Sequence, residues 1–147
     1  MDAHIEGVRV AETPSGPVAV VTLGVDEDED VLPIFIGFDE AASIAHGLDA
    51  ADIGRPLTHD LLLDVMEELG GRVDRVVVSE IDDGTYVADL HLVTPRTTTV
   101  VDARPSDSLA LAARTNAPIA IEEQVFEAGR ESPAKYVELE DIREVMA

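Results

Sequence analysis

Two short polar segments combine an arginine, a hydroxyl group and carboxylates where an apolar helical pattern begins. They are Arg-Pro-Leu-Thr-His-Asp at residues 55–60 and Asp-Ala-Arg-Pro-Ser-Asp at residues 102–107. The N-terminus of a helix presents unpaired N–H groups and a partial positive charge, which favour a bound phosphate. An arginine there can add two parallel hydrogen bonds to the same group. Both segments are therefore candidate phosphate-binding sites.

The residue types suggest what chemistry these segments could perform on a bound phosphate. A histidine titrates near neutral pH, so His59 is a candidate for proton transfer. Carboxylates are the oxygen ligands that Mg²⁺ or Mn²⁺ prefers, so Asp102 and Asp107 are candidate ligands for a divalent metal. We expect catalysis from His59, Asp60, Asp102 and Asp107, and substrate binding from Arg55, Thr58, Arg104 and Ser106.

The same residues also suit an ordinary structural role. Thr58 and Ser106 are frequent N-cap residue types, and Asp60 and Asp107 complement a helix dipole. The arginines have many carboxylates nearby with which to pair. The other three histidines lie in unrelated contexts, so a metal centre built on histidines is not indicated.

Hydrophobic spacing predicts the elements that position the two segments. Hairpin-connected strands with few helices favour an α+β fold with mixed or antiparallel sheets and three main helices. A strand, a turn, an acidic residue and an alanine-rich helix occur twice, at residues 31–48 and 99–115, which suggests an internal duplication. Residues 26–30 read as an acidic loop. We predict strands at 4–13, 18–25, 31–36, 75–81, 86–93, 97–103 and 119–121, and helices at 39–48, 58–69 and 105–115, with a helical turn at 125–129.

Charge is the strongest feature of the composition. The chain has 31 acidic and 10 basic residues, a net charge of −21, and no cysteine. Molar salt would screen the resulting self-repulsion, so the composition indicates a halophilic protein. No apolar run is long enough to span a membrane, and the N-terminal residues do not resemble a signal peptide. We therefore expect a cytoplasmic protein.

Three segments in this order and spacing resemble the bifunctional nuclease domain family: LPIFIG at 32–37, RPLTHDLL at 55–62 and VDARPSDSLALA at 101–112. Residues 76–92 and 116–127 are also similar to it, and the acidity suggests a haloarchaeal-type member. The resemblance implies a domain over residues 1–131, nuclease activity on RNA and DNA, and homo-oligomers. It leaves residues 132–147 as an acidic extension in which apolar residues suggest a short helix.

Three functions remain open from the sequence. The first is a nuclease, although the net charge opposes binding of another polyanion, since nucleic-acid-binding surfaces are usually basic. The second is a non-catalytic oligomeric scaffold or binding module in which the polar segments only cap helices. The third is a binder or hydrolase of a small phosphorylated ligand. Convergence of the two segments would favour the first and third.

Overall fold

In the computed structural model, which describes residues 1–49 and 55–146, the chain begins with three antiparallel strands and a helix. The strands are β1 (Asp2–Thr13), β2 (Gly16–Val25) and β3 (Asp28–Ile36). Helix α1 (Phe38–Asp49) follows directly. Strand β2 consists largely of β-branched residues, which suit a pleated, buried surface. We call these four elements the first unit.

The same order of elements follows a second helix, α2 (Thr58–Glu68). Strands β4 (Arg72–Asp82), β5 (Thr85–Val93) and β6 (Thr98–Ala103) are antiparallel neighbours. Helix α3 (Pro105–Thr115) then completes what we call the second unit. The predicted strand–turn–helix repetition is thus part of a larger arrangement of three strands and a helix.

A short strand, β7 (Ile119–Ile121), joins the two units into one mixed sheet in the order β3-β2-β1-β7-β4-β5-β6. It pairs antiparallel with β1 and parallel with β4, so the first strands of the two units, β1 and β4, run in opposite directions. Helices α1 and α3 pack against each other on one face of the sheet. The predicted α+β class is confirmed, and α1, α2 and α3 are the three main helices.

The chain ends in short elements that pack on this framework. Helix α4 (Glu123–Gly129) precedes a single 3₁₀ turn, and strand β8 (Glu140–Asp141) pairs with β1. Helix α5 (Ile142–Met146) places the side chain of Ile142 in the main core with no solvent exposure. The division between a domain and an extension at residue 132 stays a prediction.

The main core lies between the sheet and the α1–α3 pair. Both units supply fully buried side chains to it, among them Leu23 and Leu32 from the first and Val76 and Val78 from the second. Helix α2 differs because none of its residues is buried. In the described part of the chain, no helix has the length and hydrophobicity needed to cross a membrane.

Three local predictions are wrong. The acidic segment 26–30 is not a loop, because β3 already begins at Asp28. Thr58 is not the N-cap of α2 but its first helical residue, and Leu57 is the N-cap. The Leu57 N–H donates to the carboxylate of Asp60. Ser106 does not cap α3, because Pro105 starts that helix and makes Arg104 the N-cap. A proline suits the first helical position, where its missing N–H costs no hydrogen bond.

Candidate functional site

The first turns of α2 and α3 bring the two predicted polar segments together. His59 Nε2 and Asp107 Oδ1 are 2.9 Å apart, although the residues are 48 positions apart in sequence. The His59 side chain is 15% exposed, and that of Asp107 is 37% exposed. The two segments therefore form one polar cluster, as a shared site requires.

Helix α1 adds a serine to this pair. Ser43 Oγ lies 2.6 Å from His59 Nδ1, and the Arg114 Nη2 group donates to the same Ser43 oxygen at 3.2 Å. Because an ionised Asp107 only accepts, the hydrogen of His59 belongs on Nε2. Ser43 then donates its own hydrogen to Nδ1. Both ring nitrogens of His59 are thus engaged by protein groups.

Arg104 is the most exposed charged group here, with 65% of its side chain accessible. Its Nε donates to Asp107 Oδ2 at 2.9 Å, and its Nη1 donates to Glu40 Oε1 at 2.8 Å. The other Glu40 oxygen accepts from the Gly37 N–H at 2.8 Å, which fixes the carboxylate at the start of α1. Arg104 therefore presents a solvent-facing guanidinium that two carboxylates hold in place.

Arg114 is the buried counterpart, only 7% exposed. It donates through Nε to Asp60 Oδ1 at 2.6 Å and through Nη1 to the carbonyl oxygens of Ser43 and Ala110, each at 2.9 Å. These bonds tie α3 to α1 and α2. We call the seven side chains the three-helix polar cluster: Glu40, Ser43, His59, Asp60, Arg104, Asp107 and Arg114.

Two carboxylates of the cluster have lowered pKa values. Burial acts to raise the pKa of Asp107, but hydrogen bonds from Arg104 and His59 and the positive charge of Arg104 outweigh it. Burial likewise acts to raise the pKa of Asp60, and the hydrogen bonds from Arg114 and the Leu57 N–H reverse the sign. Both groups are therefore ionised at neutral pH, which matches their role as acceptors.

The remaining predicted residues lie around or apart from the cluster. Thr58 and Arg55 are exposed, and Ser106 is buried at 4% exposure. Asp102 is directly opposite Asp89 of β5. The next residue of β5, Leu90, is buried on the helix side of the sheet, so Asp89 and Asp102 lie on the face away from the helices. The structure thus brings His59, Asp60, Arg104 and Asp107 together but not Asp102.

Two cavities border the cluster. A cavity of about 270 Å³ is lined by Glu40, Arg104 and the start of α3, together with Phe35 and Tyr86. A larger cavity of about 800 Å³ lies between α2, α3 and β4, where Asp60 and Arg114 meet apolar side chains. Its volume is within the range of small-molecule sites. Its apolar lining comes from Leu63, Met66 and Val73.

The cluster does not fit a divalent metal in this arrangement. Within residues 1–49 and 55–146, no group of three or more histidine, cysteine, aspartate or glutamate side chains is placed to hold an ion. Both oxygens of Asp107 already accept hydrogen bonds from His59 and Arg104. A metal there would have to displace these donors. The Mg²⁺ or Mn²⁺ site at Asp102 and Asp107 stays a prediction.

Sequence reasoning missed three members of the cluster. Ser43 and Arg114 lie inside helices with no local signal, and their contacts span 16 and 54 positions. Glu40 had a signal, because it is the third residue of α1, as Asp60 is of α2 and Asp107 of α3. An acid at this position commonly reaches back to the helix start. All three such acids belong to the cluster.

The chain is similar to a known protein family and to two relatives. The family model of the bifunctional nuclease domain matches residues 21–133. Two uncharacterized proteins of Mycobacterium tuberculosis, MT1877 of strain CDC 1551 and Rv1829 of strain H37Rv, are each 39% identical over 125 residues. The aligned region is 85% of this chain and 73% of each relative.

Proposed function

Because the chain belongs to the bifunctional nuclease domain family, we propose that it hydrolyses phosphodiester bonds of RNA or DNA at the three-helix polar cluster. The observation that carries the proposal is the meeting of His59 and Asp107, which places both family segments at one solvent-accessible point. Arg104 adds an exposed guanidinium at that point. A phosphate-binding arginine beside carboxylates and a histidine suits acid–base hydrolysis of a diester.

In this proposal Arg104 binds the phosphate of the scissile bond. The phosphate would occupy the smaller cavity, where Arg104 and the N-terminal turn of α3 both line the wall. Phosphate oxygens compete with Asp107 and Glu40 for the guanidinium, since all three are anionic acceptors. Substrate binding would therefore release one oxygen of Asp107 from its ion pair.

The released carboxylate of Asp107 then acts as the general base. It accepts a proton from a water molecule whose oxygen attacks phosphorus, while the bond from phosphorus to the leaving oxygen breaks and that oxygen takes a proton from solvent. His59 holds Asp107 through Nε2 and is held by Ser43, so it orients the base. Asp60 fixes the start of α2 and Arg114, and thereby positions His59.

One observation favours a second function. Every charged group of the cluster already has a protein partner, so the cluster can also be a connection among three helices in a non-catalytic binding module. The larger cavity would then bind the ligand, and a small phosphorylated compound is one class that its arginine-containing wall accommodates. This function predicts ligand binding without cleavage.

Cleavage of labelled single-stranded RNA and DNA in molar salt, with and without Mg²⁺ or Mn²⁺, tests the proposal. We compare Arg104→Gln and Asp107→Asn with Arg143→Gln, which removes an exposed arginine that is also paired with two carboxylates. We expect at least a hundredfold loss for the first two and less than twofold for the control, because one removed electrostatic contact costs this much in other enzymes. Asp102→Asn is run separately.

Each outcome points to one function. Loss in Arg104→Gln and Asp107→Asn alone supports hydrolysis at the cluster. Loss in Asp102→Asn together with a requirement for metal would place the chemistry on the other face of the sheet. No cleavage by the native protein, or equal cleavage by all variants, would reject the proposal and favour the binding module.

A further inference from the structure

Most basic side chains of this protein are neutralised by carboxylates. Six of the ten lie within 3.1 Å of at least one carboxylate oxygen. In a chain of net charge −21 this is the expected state, since an arginine has acidic neighbours almost everywhere. The six are Arg9, Arg104, Arg114, Arg130, Lys135 and Arg143.

The other four bases behave differently. Arg72 makes only a long contact of 3.9 Å, with Asp74. Arg55, Arg75 and Arg96 form no ion pair with any residue that the structure describes. Arg55 lies at the start of a described range, whereas Arg72, Arg75 and Arg96 all belong to the second unit.

Strand register places these residues together. Arg72 is opposite Val93 and Arg75 is opposite His91 in the β4–β5 pair, and directly opposite residues share a face. Leu90 of β5 is buried in the main core, on the helix side of the sheet. Neighbouring residues of a strand point to opposite faces, so His91 and Val93 lie on the face away from the helices. Arg96 lies in the β5–β6 turn at the same end of the sheet.

We call this surface the basic face: Arg72, Arg75, His91 and Arg96. All three arginines are exposed, and the β6 residues next to His91 and Val93 are the exposed, uncharged Val100 and Thr98. Acidic side chains lie at its edges. They include Asp74 beside Arg72, Asp64 and Glu67 in the cavity that Arg72 lines, and the opposed pair Asp89 and Asp102 one row further along the strands.

We propose that the basic face binds the sugar-phosphate backbone of single-stranded RNA or DNA. Arg75 and Arg96, which form no ion pair with a described residue, and Arg72, whose contact with Asp74 is 3.9 Å long, provide the local positive charge that a polyanion needs, despite the net charge of the chain. Among the four residues that define this surface, His91 supplies the one ring. This composition suits backbone contacts and stacking on arginine planes without sequence preference.

This inference rests on the proposed function for its ligand, but it concerns a surface centred on Arg75 and Arg96. Arg72, at the edge of that surface, also lines the larger cavity. The basic face follows the C-terminal end of α2, whereas His59 is at the N-terminal end of that 11-residue helix. At 1.5 Å per residue, His59 and the last residue of α2 are separated by roughly 14 Å along the helix. A long strand can contact both surfaces at once, whereas a compound with one phosphodiester cannot.

Fluorescence anisotropy with a labelled, uncleavable oligonucleotide of about 20 nucleotides tests the proposal, since this is longer than a typical binding site for one fold. Arg75→Thr combined with Arg96→Ser is compared with Lys135→Ser combined with Arg143→Ser. Both double variants remove two exposed positive charges. Circular dichroism and unfolding curves verify that both fold.

We expect the first double variant to bind at least tenfold more weakly and the control to change less than twofold. The slope of log affinity against log salt should fall by roughly 1.4, because each lost contact to a single strand contributes about 0.7. Equal weakening in both double variants, or no binding by the native protein at low salt, would overturn the proposal.

Hydrolysis of bis(4-nitrophenyl) phosphate separates this inference from the proposed function. We expect the basic-face variant to retain cleavage of this small diester while losing affinity for the oligonucleotide. Normal oligonucleotide binding by the variant rejects the basic face but not hydrolysis. Binding through the basic face by a native protein that cleaves neither substrate rejects hydrolysis but not the basic face.

Discussion

The two units have the same order of elements but differ in what covers them. In the first unit, the edge strand β3 has residues 31–34 buried. In the second, the edge strand β6 is exposed from Thr98 to Asp102. The difference comes from the end of the chain: Glu131 bridges to Val31, and Tyr136 packs on Val20 and Val31.

This difference shows that one plan of strands and helix can serve two purposes. In the first unit, the end of the chain occupies the surface around Val20 and Val31. The second unit keeps its outer sheet face open, where the basic face lies, and its helix α3 supplies Arg104, Asp107 and Arg114. We therefore expect mutations to affect mainly stability in the covered parts and mainly function in the open parts.

Helix α2 and its C-cap Leu69 expose several apolar side chains, and no residue of the helix is buried. Leu61, Leu62, Val65 and Leu69 are all at least 45% exposed. The oligomerisation that the family resemblance implies stays a prediction, and these side chains are the natural place to test it.

The largest expected effect is on the packing of helix α5 into the main core. Ile142→Ala should lower the free energy of unfolding by about 2–5 kcal/mol, because it removes a fully buried side chain from the core. Val145→Ala, in the same helix but 43% exposed, should change it by no more than about 0.5 kcal/mol. Urea unfolding at constant high salt measures both. Equal effects would show that the last residues do not contribute to the core.

The next effect contrasts two arginines of α3. Arg114→Met should cost about 2 kcal/mol of unfolding free energy, because it leaves the Asp60 carboxylate and the Ser43 carbonyl without their donor. Arg104→Met should change stability less than Arg114→Met does, since Arg104 is largely solvated. Thermal and urea unfolding compare the two. A larger loss for Arg104→Met would contradict the assignment of Arg114 as the structural arginine.

A smaller effect appears in the pH dependence of stability. The pKa values of Asp60 and Asp107 are lower in the folded protein than the usual value of about 3.9. Their contribution is therefore present above that pH and is lost as pH falls through the folded pKa values. Asp107→Asn should be less stable than the native protein at neutral pH, with the difference shrinking below about pH 4. A difference that is constant from pH 7 to about pH 2 would contradict this linkage.

The smallest expected effect concerns the start of α2. Thr58→Ala should change the free energy of unfolding by less than about 0.5 kcal/mol, because the Thr58 side chain caps nothing and an N-cap substitution typically costs about 1 kcal/mol. Asp60→Ala should cost more, since it removes the acceptor of the Leu57 N–H and the partner of Arg114. In urea unfolding, a larger loss of unfolding free energy for Thr58→Ala than for Asp60→Ala would show that Thr58 is the cap.

Much of the fold could be predicted because hydrophobic periodicity is a local property. The strands of both units and helices α1, α2 and α3 follow from it. Helix starts were less accurate, because Leu57 and Arg104 occupy N-cap positions without any capping side chain. Both helices have an acid at the third helical position, and α3 has a proline at the first. These residues signal a helix start less strongly than a threonine or serine at the N-cap does.

The site was predicted only in part, for a physical reason. Helix-start chemistry identified His59, Asp60, Arg104 and Asp107, because each lies in a locally recognisable segment. Asp102 was expected with them because it belongs to the same short segment as Asp107. A strand presents alternate residues to opposite faces, and the register of β6 turns Asp102 away from α3.

The sequence by itself determined the α+β class, the family segments and the acidity, since these depend on residue types and their spacing. Only the tertiary structure decided that the two segments meet, that Ser43 and Arg114 join them, and that Arg75 and Arg96 come to the same end of the sheet without an ion-pair partner among the described residues. These facts depend on strand order and helix packing. Such contacts connect residues far apart in the chain, where no local pattern records which side chains become neighbours.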